Sequence, residues 1–398
     1  MRSRNTRRTI LPAALVAGLA LTALIAPPAY AAPRSDDALS RGRISCDPLG
    51  GASIKPVGAT LNTEYTEAFR EFGNSGGGWQ NNGGWAASDG VYSVELADRS
   101  IAWLMNDTFL GPVTDEQIGA EARFLHGTVV LGGRDGLPDT TVTGGTQEAP
   151  ESIVSPPQSE GGDPWYWNED GILDGGKLRV FQARTGLNDG VPPWNFGWLG
   201  SDIVTYDAEF AVESITPSYG APGGVHWGVE LVKQGGMVYI YGQKDGAAYV
   251  ARVAKGHLVG GAWEFWAAGS WVANEAAATP IASNVGASYS VTRMRGTYVL
   301  STTTTFGAFA EHTVEVAVSS SPSGPFTDRT VVYTAPEAAS AHIVAPYNVA
   351  AHPAISDRGE LVVSYNVNSE QHSDVVANAN NYRPRFLTIE FARCRMPR

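Results

Sequence analysis

An all-β fold, a five-bladed β-propeller closed by a disulfide between its termini, is predicted by three features of the sequence. Five similar hairpins recur along the chain, with central turns at Asp98, Gly175, Gly236, Gly296 and Gly359, spaced 77, 61, 60 and 63 residues apart. Helical periodicity is almost absent, while 46 glycines, 24 prolines and abundant Trp, Tyr, Thr and Val favour strands and tight turns. The only two cysteines, Cys46 and Cys394, stand near opposite ends of the chain. Four-stranded repeats of this length arranged radially make a propeller. A Cys46–Cys394 bridge needs neighbouring termini, as a closed ring provides. The plainer alternatives are two unrelated buried thiols and a β-sandwich, and the regular spacing disfavours the second.

The elements follow in order. Residues 1–31 read as a secretory signal peptide: Arg2, Arg4, Arg7 and Arg8 precede an apolar run, and Ala29-Tyr30-Ala31 is a small-residue cleavage site. The exported protein is expected to be extracellular, with residues 32–45 as an N-terminal segment and 46–398 as one propeller domain. No later segment approaches the ~20 apolar residues of a membrane helix, so no membrane insertion is expected. Short helical turns are expected near 66–72 and 115–122. The hairpins span 89–107, 170–184, 226–244, 288–305 and 352–368, and further strands follow at 128–131 and 314–319.

Without the signal the chain carries 24 Lys+Arg against 40 Asp+Glu, a net charge near −16. Such a surface repels phosphate backbones, which excludes nucleic acid as a natural partner. A neutral ligand and a monomeric state are expected.

In a propeller the first strand of each blade lines the central channel, and the residues at the predicted blade entrances are Asp89, Asp170, His226, Ser288 and His352. Trp79, Trp85, Trp165, Trp167, Trp194, Trp198, Trp227 and Tyr347 stand nearby, mostly in Gly/Pro-rich loops. Loop aromatics around a cleft offer flat faces for stacking sugar rings. Each residue also has a plainer role: a loop Trp can cover a blade edge, Asp-Gly can cap a turn, and a buried His can be a hydrogen-bonded core residue. Folding the first hairpin brings Asp89 beside Asp107, which follows an apolar strand in Asn106-Asp107-Thr108. With a three-residue turn at 97–99 the two face each other directly. With a two-residue turn the apolar pairs match better, but the aspartates start on opposite faces. There is no zinc-type Cys/His spacing, calcium loop, serine elbow or phosphate loop, so neither metal nor cofactor is expected. Two acids in a tryptophan-rimmed cleft are the chemistry of glycosidic bonds, one protonating the leaving oxygen while the other attacks the anomeric carbon or activates water.

The stretches DGVYSVELADRSIAWLMNDTFLGPV, HGTVVLGG and YNVNS…NNYRPRF resemble the secreted five-bladed propellers related to glycoside hydrolase family 183, over about residues 85–391. That resemblance implies an endo-D-arabinanase cutting α-linked D-arabinofuranose chains of arabinogalactan and lipoarabinomannan. The aspartates flanking the first hairpin, Asp89 and Asp107, would then be catalytic. Trp85, Asn106, His126, Asp170, Trp198, His226, Trp227, Tyr347 and His352 are the expected substrate-binding set. An alternative is an inverting arabinanase or arabinofuranosidase of the broader group, with Asp89 as base, Asp170 as modulator and Glu230 as acid. The third is a carbohydrate-binding propeller without catalysis.

Overall fold

The computed structural model describes residues 44–45, 53–157, 163–190, 195–220, 224–303, 312–340 and 342–395. The predicted export signal, Trp194 and Cys46 lie outside these residues. No helix among the described residues is long and apolar enough to cross a membrane.

The protein is all-β, and its main sheets follow one another along the chain. In the first, Tyr92–Glu95, Ile101–Met105, Thr128–Gly132 and Pro138–Val142 pair in sequence order. The second holds Trp165–Asp174, Lys177–Leu187, Phe196–Tyr206 and Val212–Pro217, and the third runs from His226–Gln234 through Met237–Lys244 and Ala247–Ala254 to Glu264–Ala267 and beyond. The fourth holds Ser290–Met294, Thr297–Thr303, Thr313–Ser319 and Thr327–Thr334. Ile343–Ala351, Glu360–Ser369 and Arg385–Arg395 form the fifth, whose outer place is taken by Ile54–Leu61 from the other end of the chain. Ile44–Ser45 pairs in parallel with the last strand, Ile44 opposite Cys394.

The first strand of each sheet touches that of the next, and Ile343–Ala351 touches Tyr92–Glu95, so the packing is cyclic. The core confirms it, since each pair of adjacent sheets encloses its own apolar cluster. Val94 and Leu104 meet Val180 and Val204; Phe181 meets Trp227; Val229 and Tyr241 meet Val291 and Leu300; Val299 meets Leu361. Trp103 and Ile101 of the first sheet complete the cycle against Val362 and Phe386 of the fifth. Strands covered on both faces need apolar residues at every position, not at alternate ones. That is why Ile101–Met105 is buried throughout. Each such side chain contributes about 1.5–3 kcal/mol when fully buried.

The helical turn expected at 66–72 is a full helix, Thr63–Asn74, capped by the Asn62 side chain accepting from Tyr65 N–H. It buries Phe69 against Trp85, Trp103 and Phe386. The turn expected at 115–122 is instead a hairpin of two short strands, Val113–Thr114 and Gln117–Ile118. Asp115 and Glu116 both adopt positive φ, which a helix does not allow.

The fifth hairpin also differs from expectation. It begins at Ile343, so His352 stands at its turn end, before a one-turn helix Pro353–Ile355, and not at its entrance. His352 is fully buried, its ring nitrogens lie against Ser93 Oγ and Ser364 Oγ, and its ring packs on Trp103. Burial pulls its pKa down to about 3, so it is a neutral core residue and not a substrate ligand. Trp85 and Trp227 are likewise fully buried. Their indole N–H groups are satisfied by Ser88 Oγ and Glu275 Oε1, which removes both from the expected binding set. Large aromatics of this kind fill inter-sheet space, and sequence alone does not separate them from cleft aromatics.

Candidate active site

A cavity of about 780 Å3 opens where the inner strands meet. Asp89, Glu169, His226, Ser288 and Tyr347 line it, one from the inner segment of each sheet. The sequence placed Asp89, His226 and Ser288 there. In the second sheet the lining residue is Glu169 instead of Asp170, and in the fifth it is Tyr347 in place of His352.

Irregular pairing explains both the location and the choice of residues. The first hairpin does not start at Asp89 but continues outward as Trp85–Ser88 paired with Thr108–Leu110, so the aspartates lie midway along it. Ser88 opposes Thr108 and Tyr92 opposes Leu104, which is the register of the three-residue turn, with Arg99 at φ 73°. Between those pairs Asp89 N–H donates to Asp107 O while Asp89 O accepts from Asn106 N–H. Asn106 and Asp107 together therefore face Asp89, a bulge that interrupts the ladder. Gly90 follows at φ 57°, and a Cβ there would stand 2.3 Å from Asn106 Nδ2, so only glycine lets the asparagine close in. The inner strands of the second, third and fifth sheets carry register shifts as well, at Asn168/Gly171, Trp227/Glu230 and Val344/Tyr347.

The two opposed carboxyls have different surroundings. Asp107 Oδ1 accepts from Trp167 Nε1–H at 2.7 Å and lies 2.8 Å from His126 Nδ1. Asp89 Oδ2 accepts from the Tyr347 hydroxyl at 3.0 Å, and Tyr382 adds a second hydrogen bond. Burial, then the Asp107 charge, push the Asp89 carboxyl up to about 7, the two tyrosines only partly opposing them. Asp107 is thus placed to accept hydrogen bonds, while the raised Asp89 beside it can hold a proton near neutrality.

Of the expected binding residues, Asn106, Trp198, His226 and Tyr347 line the cavity and His126 reaches it through Asp107. Asp170 does not line it. Its carboxyl accepts from Gly171 N–H and Leu231 N–H and hydrogen-bonds to Glu230, which in turn reaches Ser290 and Val291. Burial raises both acids, Glu230 further through the Asp170 charge, so they form a proton-sharing tie between inner strands. Asp89, Asp170 and Glu230 are therefore not gathered on one cavity wall.

Tyr382 and Glu169 were missed by sequence reasoning. Tyr382 ends a one-turn helix, Ala379–Tyr382, and carries no periodic signal. Glu169 had one: residues i, i+2 and i+4 of a strand share a face. Trp165 stacks on His126 at 4.8 Å, Trp167 binds Asp107, and Glu169 continues that row.

The cyclic arrangement of sheets around the cavity is a propeller-type fold. The chain belongs to the family described as domain of unknown function DUF5005, which matches residues 78–391. No curated protein matches it. A protein of Bacteroides ovatus ATCC 8483 described as a candidate hydrolase shares 21% identity over 87% of this chain and 95% of its own, with a TM-score of 0.67. More distant solved structures include an exo-β-1,3-galactanase of Phanerochaete chrysosporium (10% identity, 76% of this chain and 60% of that one, TM-score 0.45). A thermostable family-43 glycoside hydrolase is similarly remote (13% identity, 78% and 90%, TM-score 0.42).

Proposed function

We propose that this protein is a secreted glycoside hydrolase that cleaves α-linked D-arabinofuranose chains, an endo-D-arabinanase of cell-wall arabinan. The carrying observation is the opposed pair at the cavity, Asp89 raised to about 7 and Asp107 held by Trp167 and His126. Asp89 protonates the leaving glycosidic oxygen. Asp107, oriented by the Trp167 indole N–H and by His126, attacks the anomeric carbon, and Asp89 then accepts a proton from the water that releases the product. Asp89 N–H donates to Asp107 O across the bulge, and this closeness favours the ~5–5.5 Å carboxyl separation of retaining enzymes over the ~6.5–9.5 Å of inverting ones. Trp167, Trp198 and Tyr347 supply faces and edges for neutral sugar rings.

The five cyclically packed sheets are read as five blades, with the Cys46–Cys394 disulfide fastening the first residues of the domain to the last. The pairing of Ile44 with Cys394 supports that bridge. Incubation with D-arabinan and, separately, L-arabinan followed by sizing of the products tests the activity. Oligosaccharides from D-arabinan alone are expected, and an inert D-arabinan would refute the substrate.

A further inference from the structure

Glu169 is 6% exposed, lines the cavity, and has an Oε2 without a hydrogen-bond partner among the described residues. His226 Nε2 stands 3.3 Å from Glu169 Oε1 but is too poorly aligned to hydrogen-bond to it. The imidazole is held flat against Trp198, ring centroids 4.9 Å apart and planes 21° from parallel. Two buried polar groups thus converge on the same cavity with hydrogen-bonding capacity left open. Leaving such groups unmatched is costly, so a site that keeps them is built for something that matches them.

We propose that Glu169 and His226 form a subsite that reads an uncharged sugar hydroxyl beside the aspartate pair, and that Glu169 excludes anionic sugars. A hydroxyl both donates and accepts, so one group can donate to Glu169 Oε2 and accept from a His226 ring N–H. A carboxylate or phosphate only accepts and is repelled by the glutamate. An ammonium donates to Glu169 but gives His226 nothing to bond. Trp167 and Glu169 lie two positions apart on the same inner strand, where its register shift begins, so the subsite adjoins the place where Trp167 holds Asp107. Trp198, braced by the imidazole, presents a flat wall to that unit. The inference rests on the glycosidase reading and adds the charge and hydrogen-bonding character of its substrate.

The test compares wild type with Glu169→Gln, which keeps the shape and removes the charge, and with Glu169→Ala. Titration calorimetry uses neutral D-arabino-oligosaccharides and the same oligosaccharides oxidised to carry one carboxylate, with thermal melts to establish folding. Wild type is expected to prefer the neutral ligand at least about tenfold, the usual weight of one hydrogen bond to a charged group. Glu169→Gln should weaken neutral binding and largely erase the preference, and Glu169→Ala should bind neither well. In steady-state hydrolysis the same loss should appear mainly in KM. A folded Glu169→Gln variant with unchanged affinity and unchanged preference overturns the subsite. A wild type that binds neutral oligosaccharides without cutting them overturns the hydrolase reading alone, because the charge preference is still measured. Absence of binding to any neutral sugar overturns both.

Discussion

Asp89 and Asp107 carry the same functional group and stand opposite each other, yet their neighbours differ. Asp107 receives an indole N–H and a close imidazole, whereas Asp89 is raised by burial and by the Asp107 charge. Asp89→Asn and Asp107→Asn should each lower kcat by about 10²–10⁴-fold or more while the protein still folds, as read by steady-state assay and thermal melts. If Asp89 is the acid, activity should fall as pH rises through about 7, and a pH–rate profile shows this limb. The stability sign follows the same shift. A carboxyl raised in the folded state contributes stability that is complete below its unfolded value near 3.8 and is lost as pH rises through about 7. Denaturation of wild type and Asp89→Asn between pH 4 and 8 should therefore show a larger decline in wild type. These acids were legible because each interrupts an apolar hairpin. Tyr382, which bonds Asp89, was not, because its place depends on a short helix rather than on strand alternation.

At the scale of the element, strand irregularities decide what reaches the cavity. The apolar pairs of the first hairpin favoured a two-residue turn, but Arg99 takes a positive φ that arginine seldom adopts, and the ladder shifts by one. In the second sheet the Asp-Gly signal at Asp170 pointed one residue past the lining position, Glu169, inside the register shift that follows Asn168. The parity of Trp165, Trp167 and Glu169 was the better guide. Gly228 serves the equivalent shift in the third sheet: at φ 104°, a Cβ there would lie 2.2 Å from the Phe181 ring. Gly228→Ala should destabilise the protein by about 1–3 kcal/mol, from overpacking and left-handed strain together, with a matching loss of affinity for ligands in contact with His226. Chemical denaturation and calorimetry measure the two effects.

At the scale of the whole molecule, the recurring hairpins revealed the repeating sheets, since each repeat is one antiparallel unit with its own tight turn, a glycine in every case but the first, where Arg99 takes the positive φ. It did not reveal that Ile54–Leu61 completes the last sheet, because pairing between remote segments leaves no local pattern. The proposed Cys46–Cys394 bridge fastens that same seam. Intact mass of the protein purified without reductant should show no free thiol, and Cys394→Ser should lower stability by up to about 4–5 kcal/mol on the loop-entropy argument. The seam also sets an order of events during synthesis. Leu61 must wait for Leu387 before it has a partner, and the apolar face around Trp103 stays uncovered until Phe386 arrives. Local hairpins can form early, but such remote contacts come last and make maturation slow. Chains cut short before residue 385 should therefore remain sticky, protease-sensitive and dependent on chaperones, whichever of the earlier sheets they already contain.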